Sequence, residues 1–282
     1  NTPDTDPALA NNRSWAYSII EKSKTSLLGK QLVESQFVQS ESELDRLISD
    51  AEFASRSWGK KDPLERAQLL HQIGVVLERN RGMLIEVSMS EAGKTLDQAD
   101  VEISEAVDFA HYYAEQAKTL DQIDGAAPRP RSVTVVTPPW NFPIAIPAGS
   151  ALAALAAGSA VVFKPAGQAA RCGAVLAELM NQVLPKDVLI PIQIEESQLG
   201  NQLIGHHLVD QVILTGGFET AQLFRRINPG LRLLAETSGK NSIIVTPNAD
   251  LDLAAKDIAY SAFGHAGQKC SAASVAILVG SV

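Results

Sequence analysis

From Val133 onward, short β-branched runs alternate with helical stretches, and this alternation leaves few folds open. Val133–Val136, Ala160–Phe163, Val188–Ile194, Gln211–Leu214, Leu233–Ala235 and Ser242–Val245 read as strands. Helices are expected between them near Ala145–Ala157, Gln168–Leu184 and Glu219–Ile227. Strand and helix in alternation imply a mostly parallel sheet wound on both faces, an α/β, Rossmann-like doubly wound arrangement. Such sheets bind ligands at the carboxyl ends of their strands. Asn141, Lys164, Gly216 and Glu236 each follow an expected strand closely.

The first 120 or so residues read as helical. Leu44, Leu47, Ile48, Ala51 and Ala54 recur at helical spacing behind a possible Ser42 cap. Asp62-Pro63 is a cap followed by a first-turn proline, with Leu69, Leu70, Ile73, Val76 and Leu77 as the stripe behind it. Gly93-Lys94 separates a third helix from a fourth, whose stripe includes Val101, Ile103, Val107 and Ala110.

The apolar stretch from Ile144 to Phe163 is interrupted by Pro147, Gly149, Ser150, Gly158 and Ser159, so it reads as a buried helix and strand and not as a membrane span. A net charge of −8 argues against a nucleic-acid surface. Two distant cysteines make no disulfide framework, which points to a reducing, cytoplasmic setting. The opening Asn1-Thr-Pro-Asp has neither a basic nor an apolar signal region, and with no initiating Met the chain reads as an excised piece of something longer.

Several residues could carry chemistry. Asn141 lies in Pro139-Trp140-Asn141-Phe142-Pro143, a stiff turn that could aim its amide at a developing oxyanion or merely satisfy its own backbone. Lys164-Pro165 ends a buried strand, where a lysine reaches either a ligand's phosphate or solvent. Thr215-Gly216-Gly217 precedes a helix and would let backbone N–H groups approach a pyrophosphate, although the GxGxxG fingerprint is absent. Glu236 is either a capping or salt-bridged residue or a general base. Cys270, in Gly267-Gln268-Lys269-Cys270-Ser271-Ala272, is either a buried structural thiol or a nucleophile beside Lys269. Cys172, inside a helical pattern, reads as structural. The five histidines show no metal spacing, and no metal is expected.

Taken together these segments resemble the aldehyde dehydrogenase superfamily: Pro-Trp-Asn-Phe-Pro, Phe163-Lys164-Pro165, Thr215-Gly216, Glu236-Thr-Ser-Gly-Lys-Asn and Gly267-Gln-Lys-Cys occur in that family's order. Glu236 and Cys270 are 270 − 236 = 34 residues apart, the spacing usual there. Gly-Gln-Lys-Cys-Ser-Ala looks most like the Δ1-pyrroline-5-carboxylate (glutamate γ-semialdehyde) dehydrogenases. Ala92-Gly-Lys-Thr-Leu and Asp108-Phe-Ala-His-Tyr-Tyr-Ala114 are similar to the form fused behind a proline dehydrogenase in bacterial proline utilization A.

The resemblance implies an NAD-binding domain over residues 1–246, helical over 1–128 and α/β over 129–246, and an incomplete catalytic domain over 247–282. It implies that Cys270 is the nucleophile, that Asn141 and the Cys270 backbone N–H hold the oxyanion, and that Glu236 activates water; some local activation of the Cys270 thiol is expected. Pro139, Trp140, Lys164, Gly167, Gly216 and Gly217 would contact NAD, and Phe142, Lys269 and Ser271 the substrate. The implied reaction is oxidation of L-glutamate γ-semialdehyde to L-glutamate through a cysteine thioester. The parent would be a homo-oligomer, with a small-molecule substrate and an upstream proline dehydrogenase domain carrying FAD.

Departures qualify this picture. Gly167 stands where many relatives carry a ribose-binding acid, which leaves NADP open; Pro191-Ile-Gln-Ile-Glu-Glu-Ser replaces a Pro-Gly-rich loop; Ser238 takes a common glycine position. The resemblance covers only the first part of the family's module, so the chain alone is expected to turn over little. The competing readings are a general aldehyde dehydrogenase and a non-catalytic dinucleotide-binding fragment.

Overall fold

The computed structural model describes residues 1–195 and 198–282, in two compact units, Asn1–Glu236 and Thr237–Val282. The first unit opens with six helices: α1 (Ala10–Ser23), α2 (Lys30–Ser35), α3 (Glu41–Trp58), α4 (Pro63–Arg79), α5 (Arg81–Ala92) and α6 (Leu96–Thr119). It continues as β1 (Val133–Thr137), α7 (Ala145–Ala156), β2 (Ala160–Phe163), α8 (Ala170–Asn181), β3 (Leu189–Pro191), α9 (Gln198–Gly205), β4 (Gln211–Gly216), α10 (Phe218–Ile227) and β5 (Arg232–Thr237), the last strand running one residue past the boundary between units.

The sheet order is β3-β2-β1-β4-β5. β1 pairs in parallel with β2 and β4, and β2 with β3. Because β1 and β4 diverge from the centre in opposite winding directions, the topological switch point lies between them. This is the doubly wound sheet expected from the alternation.

Strand periodicity distributes the core to both faces. Val136, Val161 and Phe163 pack with α4–α8, whereas Val133, Val135, Ala160 and Val162 pack with residues of α3 and α9. All five residues of β1 and all four of β2 are buried, as continuous apolar runs in a covered parallel sheet should be. The only polar side chains there are satisfied: Thr134 and Ser159 share a hydroxyl hydrogen bond of 2.8 Å, and the Thr137 hydroxyl donates to the Ile213 carbonyl at 3.3 Å.

Local rules account for most boundaries. Asp62 caps α4, its carboxylate accepting from the Leu64 N–H at 2.7 Å, with Pro63 next. The α3 cap is Ser40 and not Ser42: the Ser40 hydroxyl accepts from the Glu43 N–H, so the helix begins two residues earlier than the apolar spacing suggested. β3 is shorter than the expected Val188–Ile194 strand. The Ile192 N–H still donates to Phe163 of β2, but from Gln193 the chain pairs with the α2–α3 connection instead, with the Gln193 N–H donating to Gln36 and the Val38 N–H donating to Gln193. Glu196 and Ser197, the end of the unusual segment after β3, lie outside the described residues.

The second unit holds β6 (Ser242–Val245), α11 (Leu251–Phe263) and β7 (Val275–Leu278), with β6 and β7 parallel. Among the described residues no helix is long and apolar enough to cross a membrane; Ile144–Phe163 forms α7 and β2.

Candidate active site

In the first unit every singled-out residue stands beyond or at the carboxyl end of a strand. Pro139, Trp140, Asn141 and Phe142 follow β1, Lys164 and Gly167 follow β2, Gly216 ends β4 with Gly217 behind it, and Glu236 is the penultimate residue of β5. Trp140 is 38% exposed, Asn141 and Phe142 are half-buried, and Glu236 is exposed. The sheet alone gathers these positions to one edge, on both sides of the switch point.

The Asn141 loop is held by Lys94, present in the Ala92-Gly-Lys-Thr-Leu segment without an assigned role, and by Glu102, which no motif includes. α5 ends in a Schellman-type turn: Gly93 takes a left-handed φ of 68°, its N–H donates to Met89, and the Lys94 N–H donates to Ser88. The turn carries Lys94 inward, where its side chain pairs with Glu102 of α6 at 2.5 Å, both side chains being at most 2% exposed. Lys94 Nζ also donates to the Asn141 carbonyl at 3.4 Å and sits 4.4 Å from the centre of the Phe142 ring, a cation–π distance. Glu102 Oε1 accepts from the Ile144 and Ala145 N–H groups at 2.7 and 3.0 Å. α7 has no side-chain cap of its own, so this carboxylate caps it from another helix.

A parallel device holds α8. The carboxylate of Glu91 accepts from the N–H groups of Arg171 and Cys172 at 2.8 and 2.7 Å. The helices after β1 and β2 therefore already have anions at their N-termini. α10, after β4, begins at Gly217 with no side-chain cap, and Glu219 stands in its first turn. Gly167 has open space where a side chain would extend. An uncapped α10 beside the switch point, Lys164 at the end of β2 on the far side of β1, and room at Gly167 suit a dinucleotide: backbone donors for a pyrophosphate and space beside a ribose.

In the second unit Cys270 is exposed, flanked by half-buried Lys269 and exposed Ser271. Its loop is fastened by Asn241, quoted earlier only as the end of the Glu236 motif. The Asn241 amide donates to the Cys270 and Ala272 carbonyls at 2.6 and 3.1 Å, while its own carbonyl accepts from the Ser274 and Val275 N–H groups. Ahead of the cysteine, His265 and Ala266 take left-handed φ values of 54° and 55°, followed by Gly267 at 70°. Left-handed residues other than glycine cost backbone energy, of order 1–3 kcal/mol each, and cluster at functional loops. A side chain at Gly267 would stand 3.0 Å from the Ala262 carbonyl, a further reason for glycine there.

Cys172 is the chemical opposite. It is fully buried in α8, and burial, with the nearby Glu91 carboxylate, pushes its thiol well above the usual range, which makes it inert as a nucleophile. Among the described residues no group of three His, Cys, Asp or Glu side chains could hold a metal ion.

Residues 25–282 match the model of the aldehyde dehydrogenase family. The 1-pyrroline-5-carboxylate dehydrogenase of Bacillus subtilis (strain 168) is 36% identical over 243 residues, covering 79% of this chain and 47% of that protein. That of Bacillus mycoides (strain KBAB4) is 35% identical over 250 residues, 82% of this chain and 48% of that protein. The chain spans about half the length of the curated relatives it matches. Among solved structures, proline utilization A from Corynebacterium freiburgense superposes with a TM-score of 0.89 at 41% identity, covering 99% of this chain and 28% of that one. A mutant Thermus thermophilus 1-pyrroline-5-carboxylate dehydrogenase gives 0.88 at 25% identity, with 99% and 63% covered. With the matching model extending over nearly all of its length, the doubly wound sheet as its frame and the Asn141 and Cys270 motifs in place, this chain belongs to the aldehyde dehydrogenase family.

Proposed function

We propose that this chain carries the nucleotide-binding part and the nucleophile of an L-glutamate γ-semialdehyde dehydrogenase, which oxidises the open-chain form of Δ1-pyrroline-5-carboxylate to L-glutamate. The observation that carries this reading is Cys270, exposed in a strained loop and followed by Ser271, in a chain whose named relatives are 1-pyrroline-5-carboxylate dehydrogenases. Neighbouring proline utilization A structures support a parent with an upstream proline dehydrogenase domain, and FAD in that domain belongs to the same reading. A cytoplasmic, homo-oligomeric parent belongs to the same reading.

Each residue has a separable task. The Cys270 thiolate adds to the aldehyde carbon, forming a C–S bond as the carbonyl electrons move to oxygen. The Asn141 amide and the Cys270 N–H donate to that oxyanion. When bound, NAD or NADP supplies the hydride acceptor. Glu236 then takes a proton from water as the water attacks the thioester, and the Cys270 sulfur leaves as thiolate. Pro139, Trp140, Lys164 and Gly167 would line the adenosine half of the dinucleotide, and Gly216 and Gly217 the pyrophosphate. Phe142, Lys269 and Ser271 would face the substrate, with Ser271 and Lys269 favouring its carboxylate end over a simple aldehyde.

The deciding measurement is reduced-cofactor formation from glutamate semialdehyde and from propanal, in this chain and in the full-length protein. The full-length protein should prefer the semialdehyde and the chain alone should turn over little; preference for propanal would overturn the substrate assignment. Cys270→Ala should abolish oxidation. Glu236→Gln should leave thioester formation intact and slow its hydrolysis by about 100-fold or more.

A further inference from the structure

We propose that the buried Lys94–Glu102 pair is a positioning device for the Asn141 amide, resting on the reading of Asn141 as the oxyanion donor. Lys94 lies just ahead of α6 and Glu102 within it, yet together they hold the loop at both ends through bonds that span 42 to 47 residues of chain. Lys94 engages its front through the Asn141 carbonyl and the Phe142 ring, and Glu102 its back through the Ile144 and Ala145 N–H groups.

The geometry between those two anchors leaves the loop little freedom. Asn141 and Ile144 are separated only by Phe142, whose ring is against the ammonium, and Pro143, whose φ is covalently restricted. Pro147 in the first turn of α7 has no N–H, so the Glu102 carboxylate takes two of the few donors that this helix end exposes. Fixing the carbonyl of Asn141 and the first turn of α7 fixes the backbone from which the Asn141 side chain projects.

Stability by itself gives little reason for such a pair. Burying two charges is costly, and well-packed apolar replacements of a buried ion pair are often neutral or stabilising. Here each charge is also spent on the loop: the carboxylate accepts from Lys94 and from two backbone donors, and the ammonium meets a carboxylate, a carbonyl and a ring. The partners lie in the segment that presents Asn141, as a positioning role requires.

Lys94→Met alone would strand a buried carboxylate and could unfold the unit, so the informative protein is the double variant Lys94→Met with Glu102→Gln. It leaves no unpaired charge and keeps a side-chain carbonyl near the α7 N-terminus. In the 282-residue chain, amide hydrogen exchange across residues 141–145 should rise about tenfold in the double variant while β1 and β2 stay protected. Unchanged exchange in that segment would overturn the tether, whatever Asn141 does in catalysis.

In the full-length protein the double variant should lower kcat about 10–100-fold with the dinucleotide KM within about twofold. Placed on Asn141→Ala, the same pair of substitutions should cost less than about twofold more, because the route of action has been removed. Full additivity with Asn141→Ala would overturn the positioning role. A negligible effect of Asn141→Ala by itself would instead count against the oxyanion reading, and the exchange measurement would still decide the tether.

Discussion

The two loops that carry the proposed chemistry are built in opposite ways. The Asn141 loop leaves a strand buried at every residue, enters a helix buried along most of its length, and is pinned by a buried ion pair. The Cys270 loop is tied by the Asn241 amide and by Ser261, whose hydroxyl accepts from the Ala273 N–H; it runs through three consecutive left-handed residues and leads into a strand exposed at every residue. Val245 is the only buried side chain of its unit among the described residues, while Ile244, Tyr260, Phe263, Ile277 and Leu278 are all at least 44% exposed. Burial thus fixes the frame of the first loop, whereas hydrogen bonds to backbone groups hold the second. A loop braced by packing and a buried ion pair resists a single surface change, whereas one held by a few exposed hydrogen bonds can be loosened by a single substitution.

The largest effect that tests this contrast is on stability. Phe163→Ala empties a fully buried site on β2 and should cost about 3–5 kcal/mol in urea unfolding of the first unit. Ile277→Ala on β7, at an exposed position, should stay within about 0.5 kcal/mol. Comparable losses at the two sites would erase the distinction.

An intermediate effect is expected at the nucleophile. Iodoacetamide should modify Cys270 and spare Cys172 in the folded chain, since one thiol is exposed and the other buried. Asn241→Ala, which removes both amide bonds to the loop, should change the Cys270 alkylation rate several-fold and cost about 1–2 kcal/mol locally. An unaltered rate would mean that the loop keeps its shape without Asn241.

The smallest effect concerns the helices behind the Asn141 loop. His71 and His111 share an Nδ1–Nδ1 hydrogen bond of 2.8 Å between α4 and α6, and His71 Nε2 lies 2.9 Å from Glu115. That bond needs one ring nitrogen without a proton. Burial and the neighbouring His71 lower the His111 pKa, against opposing pulls from Asp108 and Glu115. A histidine with a depressed folded pKa takes up its proton more readily when unfolded, so stability falls as pH drops below the ordinary value near 6.5. The Tm of the chain should therefore drop between pH 7 and 5, and His111→Gln should flatten part of that slope; identical slopes would remove the pair from the acid response.

Much of the frame was legible in the residues themselves. The β2 strand, Ala160–Phe163, falls where its β-branched run predicts it, because a strand buried on both faces must be continuously apolar; β6, Ser242–Val245, also matches its apolar run, although only Val245 of it is buried. Asp62-Pro63 likewise names its own helix start, since cap and first-turn proline act within three residues. The α3 start was misplaced because Ser40 and Ser42 are both chemically able to cap, and only the observed bond to Glu43 distinguishes them. β3 is shorter than its apolar run because Ile192 and Ile194 are as apolar as a strand requires, but the Gln193 between them pairs with Phe37 and not with β2.

The sequence by itself determined the alternation that makes a parallel sheet, the order of the motif residues and the family they belong to. These follow from side-chain periodicity and short-range backbone preference, which act over a few residues. Only the tertiary structure decided what holds those motifs in place. Lys94 reads as part of the break between two helices, Glu102 as an ordinary polar residue of the second, and Asn241 as the tail of a motif. Their roles appear when folding brings them against backbone groups about thirty to fifty residues away in the chain. A buried charge or amide bonds to whatever donor or acceptor the fold delivers to it, and no local pattern records which one that will be.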